Sequence, residues 1–173
     1  MDDGTCLVDS DQRVTPQWLV DELNREFAFE VDLAATSANC RVFIPHSPTH
    51  PLVPSYFGPD HELAILRDSL LVPWHRYGKC GWLNGPYSRG QILKFCAKAE
   101  AEAEKGFTTV SLIPGDVSTE YYHRYVLTGE RRTIKTRLKF EGAPLDKHGK
   151  LPPAKFGSVL RIWRPSHKYW SFA

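Results

Sequence analysis

Cysteine is scarce in this sequence, and what there is stands far apart. The four residues Cys6, Cys40, Cys80 and Cys96 form no Cys-x-x-Cys pair in 173 positions. That spacing argues against a disulfide framework and favours reduced thiols, as in a cytoplasmic protein. Long apolar runs are missing too, so no membrane span is expected. The start, Met1-Asp2-Asp3-Gly4, has neither the basic residues nor the apolar stretch of a signal peptide. Neither sign of charge dominates: 22 Lys and Arg face 20 Asp and Glu, for a net charge of +2. This balance permits a nucleic-acid partner without requiring one. No internal repeat or low-complexity tract occurs. What is present is 42% hydrophobic residues and 12% aromatics, enough for the core of one globular domain.

Residues 1–14 are polar and read as a flexible N-terminal arm, with residues 15–173 as a single domain. Thr15-Pro16 predicts a helix start, with Thr15 as the cap and Pro16 in the first turn. Trp18, Leu19, Leu23 and Phe27 follow at helical spacing and predict a buried face. Short strands are expected at 29–33 and 41–44. A proline-rich loop fills 45–59, and a loop that long is either functional or mobile. Gly81 to Asn84 reads as a buried strand ending in a turn. Ser88 and Gln91 suggest a capping box for a helix whose inner face is Ile92, Phe95, Cys96, Ala99 and Ala103. Glu100, Glu102 and Glu104 are expected in solvent, and Gly106 ends the helix. Phe107 to Ile113 is a continuous apolar strand. A helix is expected over 118–127, a half-exposed strand over 133–140 and a last strand over 158–163. This alternation predicts an α/β fold with a mostly parallel sheet and a closing antiparallel strand pair. Ligands of such sheets bind beyond the carboxyl ends of the strands, where Asp32 and Asn84 fall.

The segment Trp82-Leu83-Asn84-Gly85-Pro86-Tyr87-Ser88 carries the sharpest chemistry. An amino group on an aromatic ring is a poor nucleophile, because its lone pair is delocalised. Two hydrogen-bond acceptors on its protons favour a tetrahedral nitrogen and free that pair. The Asn84 side-chain oxygen and the Gly85 carbonyl can be those acceptors. Pro86 stiffens the turn, and Tyr87 offers a face for a base swung out of a duplex. The Asn84 amide hydrogens need an acceptor of their own to fix the side chain's orientation. Taken alone, Asn-Gly-Pro-Tyr is more often simply a tight turn after a strand.

The tetrapeptide has company. Thr15-Pro16-Gln17-Trp18-Leu19, Glu26-Phe27, Asp32-Leu33-Ala34-Ala35, Asn39, Asp68-Ser69-Leu70 and Trp74 precede it. Lys98-Ala99, Val110 to Pro114 and Arg137-Leu138-Lys139-Phe140 follow. In this order, over roughly residues 15–164, the chain resembles the phage DNA N-6-adenine methyltransferase (Dam) family. The resemblance implies a Rossmann-like methyltransferase fold, S-adenosyl-L-methionine (AdoMet) as methyl donor and adenine in DNA as acceptor. It also implies a site-specific, adenine-specific enzyme working in the cytoplasm of a bacterial or phage-infected cell. Asn84, Gly85, Pro86 and Tyr87 then fall on the catalytic tetrapeptide. Thr15 and Pro16 look like the helix start near the methionine part of AdoMet. Asp32 and the small Ala34 look like the cradle that ends the first strand. Asp68 resembles the acid that accepts from the cofactor's adenine amino group.

Most family members have proline where this chain has Gly85; glycine keeps the carbonyl and loses rigidity. Two other readings stay open: a degenerate relative that binds DNA or AdoMet without turnover, or a methyltransferase acting on RNA or protein amides. Lys135, Arg137 and Lys139 alternate with apolar residues, and this basic row is either a DNA phosphate contact or a solvated face. His46, His50, His61, His75 and Cys80 match no compact zinc spacing, so no metal is expected. The loops over 45–61 and 141–156 are the available places for target recognition. Oligomeric state is not encoded in any pattern found.

Overall fold

A computed structural model describes residues 14–44, 53–88 and 90–165. Residues 1–13 of the expected arm, His46 and His50 lie outside them. The chain alternates strands and helices: α1 (Gln17–Phe27), β1 (Val31–Asp32), β2 (Phe43–Ile44), β3 (Val53–Pro54), β4 (Cys80–Leu83), α2 (Gln91–Ala103), β5 (Thr108–Pro114), β6 (Arg131–Thr133) and β7 (Ser158–Trp163). Five strands form one sheet in the order β1-β4-β5-β7-β6, while β2 and β3 pair as a separate hairpin. β1, β4 and β5 are parallel neighbours. β7 runs against both β5 and β6, so four of the five strands share one direction. The result is a mixed α/β fold with a mostly parallel sheet.

The period-2 alternation of buried strands sorts their side chains onto two faces. Cys80 and Trp82 of β4, Val110 and Leu112 of β5, and Leu160 and Ile162 of β7 pack with Leu19, Val20, Leu23 and Phe27 of α1. Leu83, Ile113, Val159 and Trp163 pack on the other side with Phe95, Cys96, Ala99 and Ala103 of α2. Each large apolar side chain so buried contributes about 1.5–3 kcal/mol. Both free edges of the sheet are short. Beside β1 runs the segment Ser55 to Phe57: Asp32 N–H donates to the Ser55 carbonyl at 2.8 Å, and Phe57 N–H donates to the Asp32 carbonyl at 2.8 Å. The second half of the proline-rich loop is therefore an added rim of the sheet.

Several local expectations need correcting. Pro16, not Thr15, occupies the cap position of α1, and no side chain caps that helix. Trp18 is 56% exposed and Val20 takes its expected place in the core. Gly90, in the left-handed region at φ 80°, precedes α2 and no side-chain cap forms there, so the Ser88 capping box is absent. The helix expected over 118–127 is present but shorter: it runs over 120–126, and its Tyr122–Val126 part is wound as π-helix. Ladder pairing over 131–140 stops at Thr133. Beyond it Leu138 and Phe140 are buried and Lys135, Arg137 and Lys139 exposed, so the alternation is real without being a strand.

The largest correction concerns Glu102, which is fully buried. His75 Nδ1 lies 2.6 Å from its Oε2, and the His75 backbone N–H donates to the same oxygen at 3.1 Å. Lys98 Nζ approaches Oε1 at 2.8 Å and Lys105 Nζ at 3.5 Å. Burial pushes the carboxyl up from 4.5, but the bonds from Lys98 and His75 outweigh it and hold the pKa at about 2. The ion pair ties the turn at Trp74–Arg76 to α2. Because the folded value lies below the unfolded one, the carboxylate's contribution is complete above about pH 4.5 and is lost as pH falls towards 2. Glu102→Gln is expected to cost about 2–3 kcal/mol at pH 7. This is less than the ~3–5 of a fully buried broken pair, since the cations left behind reach water. Urea midpoints that match at pH 7, or a gap that does not close towards pH 2, would contradict this.

Candidate active site

The end of β4 delivers Asn84 from a fully buried strand, so its backbone position is set by the sheet. Its carboxamide is held at both ends. Asn84 Nδ2 donates to Thr15 Oγ1 at 2.9 Å. The Tyr87 hydroxyl donates to Asn84 Oδ1 at 2.8 Å and also lies 3.2 Å from the Leu112 carbonyl. The Tyr87 ring stands edge-on to Phe156, with centroids 5.8 Å apart. Gly85 does not have a positive φ, so its backbone is not one that proline is barred from by sign. A Cβ there would sit 3.2 Å from Phe95 Cδ2, which makes Phe95 the neighbour that must yield to any side chain.

Beside this loop lies a cavity of about 910 Å³. It opens beyond the carboxyl ends of β1 and β4, where the α/β rule puts ligands. Ala34, Asp68 and Pro86 line it, as do Gly58, Gln91 and Lys94. The last three carry no signature that sequence reasoning could have used, since they are brought in by the sheet rim and by α2. Gly58 is required by close approach: a Cβ would run into the Ala35 carbonyl. Ala35 N–H in turn donates to the Phe57 carbonyl at 3.0 Å. Ser69 Oγ donates to the Leu33 carbonyl, so the segment carrying Asp68 is fastened to the end of β1. Asp68 is exposed, and its Oδ1 accepts the Leu70 N–H at 3.0 Å.

Asp32 is set back from the cavity. It is buried at 3% exposure and lines a small recess with Thr15, Arg41 and Asn84, which shares Val14, Ala34 and Asn39 with the large cavity. Its Oδ2 accepts the Arg41 N–H at 3.1 Å and its Oδ1 the Ala34 N–H at 3.4 Å. Burial pushes its pKa up to about 7, against the pull of those two bonds and the Arg41 charge. Asp32 thus shapes the backbone between Ala34 and Arg41, and Ala34 and Asn39 of that stretch line the cavity wall. Thr15 is brought into direct contact with Asn84, while Pro16 lines neither the cavity nor the recess.

The basic row enters from the far end of the sheet. Phe140 faces the α1-side core and not the loop. The next residue, Glu141, exchanges backbone hydrogen bonds with Val14 at 3.1 and 3.0 Å, one residue before Thr15. Lys139 thus stands two residues before the bridge to Val14, whose neighbour Thr15 contacts Asn84. Sequence reasoning missed Phe156, the aromatic that does face Tyr87, and the Arg41–Glu141 ion pair that closes this corner. Among the described residues, no three His, Cys, Asp or Glu side chains are grouped to hold a metal. Cys40, Cys80 and Cys96 are buried free thiols. No helix among the described residues is long and apolar enough to cross a membrane.

No curated protein matches the chain. A family model described as DNA N-6-adenine-methyltransferase (Dam) matches residues 54–172. The match spans Asp68, the loop from Asn84 to Tyr87 and the basic row; it begins after Thr15, Pro16, Asp32 and Ala34. It covers well over half of the sequence, and the mixed α/β sheet fits a methyltransferase-like fold. The chain belongs to the DNA N-6-adenine-methyltransferase (Dam) family.

Proposed function

We propose that the chain transfers a methyl group from AdoMet to the exocyclic amino group of adenine in DNA, with residues 15–173 acting as one methyltransferase domain. The observation that carries this is the juxtaposition of Asn84, at a strand end, with a cavity large enough for the cofactor, lined by Pro86 of the same loop. The wall built by Ala34, Ala35 and Gly58 brings backbone close to the cavity, as a nucleoside-sized ligand needs. Ala34 and Asp68 would hold AdoMet there, with Asp32 setting the loop between Ala34 and Arg41. When bound, AdoMet supplies a methyl group on a sulfonium, which is an excellent leaving group.

The chain's own work is orientation and hydrogen bonding. Asn84 Oδ1 and the Gly85 carbonyl accept the two amino protons of an adenine swung out of the duplex. A carbonyl oxygen has two lone pairs, so Asn84 Oδ1 can keep the Tyr87 hydroxyl and still accept from the base. The Leu112 carbonyl, 3.2 Å away, gives that hydroxyl another acceptor when the ring turns to stack on the base. These acceptors would aim the amino nitrogen's freed lone pair at the methyl group that AdoMet supplies when bound, and the proton the nitrogen gives up would pass to solvent water. Lys135, Arg137 and Lys139 hold the DNA backbone.

Single-molecule sequencing of DNA from cells expressing the chain tests the reaction directly: methylated adenine should appear at a defined sequence. Parallel incubations with RNA and protein separate the alternative acceptors. Cofactor binding without incorporation into any DNA would favour the binding-only relative instead. A further expectation concerns Asp32. Asp32→Ala should weaken AdoMet binding at least about tenfold, because the loop from Ala34 loses the carboxylate that shapes it. Calorimetry giving the same affinity for both proteins would remove Asp32 from the cofactor site.

A further inference from the structure

We infer that Thr15 is a positioning residue for methyl transfer, holding the Asn84 carboxamide rather than the cofactor. The inference rests on the reading of Asn84 just given and assigns Thr15 a different task from that of a cofactor contact. A carboxamide rotated by half a turn has nearly the same shape, but it presents two N–H donors where the reaction needs an acceptor. Something must therefore restrain that rotation. Asn84 Nδ2 donates to Thr15 Oγ1 at 2.9 Å, while the Tyr87 hydroxyl holds Oδ1 from the other side.

Thr15 is well built for this. It is 2% exposed, so water does not compete for its hydroxyl. The hydroxyl is not used to cap α1. The Thr15 carbonyl accepts from Arg41 Nε at 3.0 Å, and the same guanidinium is paired with Glu141. Glu141 in turn brackets Val14 through two backbone bonds. The residue is thus fixed on both sides along the chain, and its one polar side-chain atom points at the catalytic amide. A group held this firmly can preorganise a neighbour without reorganising during the reaction.

The test uses the full chain with Thr15→Val, which keeps the shape and removes the hydroxyl, and Thr15→Ser, which restores it. Thr15→Val should lower kcat for DNA methylation about 10- to 100-fold and leave the AdoMet dissociation constant within about twofold. Thr15→Ser should recover most of the rate. In nitrogen–proton spectra, the Asn84 side-chain amide pair, identified by its loss in Asn84→Ala, should shift and exchange faster in Thr15→Val alone. A wild-type kcat in Thr15→Val, or a loss of AdoMet affinity with kcat unchanged, would overturn the assignment. So would an undisturbed Asn84 amide pair. If the wild-type chain methylates no DNA at all, the proposed function fails instead, and the amide spectra still decide whether Thr15 holds Asn84.

Discussion

Asn84→Ala should abolish methylation, lowering kcat by at least about 10³-fold, while AdoMet binds with nearly unchanged affinity. A single preorganised hydrogen-bonding group at a reacting centre is worth roughly 10²–10³ in rate. Asn84 has the added task of freeing the amino lone pair. In the proposed mechanism its oxygen acts on the substrate's amino group in the transition state, so its loss belongs in turnover and not in cofactor affinity. The side chain is also peripheral to the core: half-buried at the strand end, and bonded among the described residues to Thr15 and Tyr87. Truncation should therefore leave the fold standing, which a thermal melt can verify. The decisive pair of measurements is methyl incorporation into duplex DNA and calorimetry with AdoMet. If the alanine variant methylates at the wild-type rate, the catalytic assignment of the loop is wrong.

Replacing Lys135, Arg137 and Lys139 together with alanine should cut DNA affinity and flatten its salt dependence. All three side chains are exposed, and no core contact is lost with them. Each phosphate contact steepens the log–log salt slope by about 0.9 through counterion release. Three lost contacts should therefore reduce the slope by roughly 2.7, which is roughly 500-fold in affinity at 0.1 M salt relative to 1 M. Methylation at saturating DNA should change far less than affinity. An unaltered slope in fluorescence titrations would show that the row is only solvated.

How much of this was readable beforehand varied with the range of the interactions involved. Phe107 to Ile113 and Ser158 to Trp163 were legible because strands buried on both faces are rich in Val, Ile, Leu and aromatics, although Thr109, Ser111 and Arg161 are buried within them. The turn from Asn84 to Tyr87 after β4 was legible because a buried strand running into Asn-Gly-Pro is a local pattern, spread over four consecutive residues. Glu102 was not. Its neighbours Glu100 and Glu104 are exposed, and only the arrival of His75 and Lys98 makes room for a buried carboxylate. Thr15 was misread for a related reason. Threonine before proline is a good helix cap by propensity, but a partner 69 residues away takes the hydroxyl. The alternation over 133–140 followed from one-sided burial and said nothing about whether a neighbouring strand was there to pair with. The cavity wall at Gly58 depends on a backbone contact with Ala35, which no side-chain pattern announces.

The short edges of the sheet bear on how the protein behaves when concentrated. An open edge strand is a template on which another chain can add, and long flat ones lead to aggregation. Here β1 offers only Val31 and Asp32, and Ser55 to Phe57 already hydrogen-bonds along that side. At the other end β6 is three residues long and two of them are Arg131 and Arg132, so a second copy approaching in register meets its own charge. The long, apolar strands β5 and β7 are the dangerous ones, and both lie inside the sheet with a neighbour on each side. Among the described residues, both edges of this sheet therefore offer little length for a further strand to pair along.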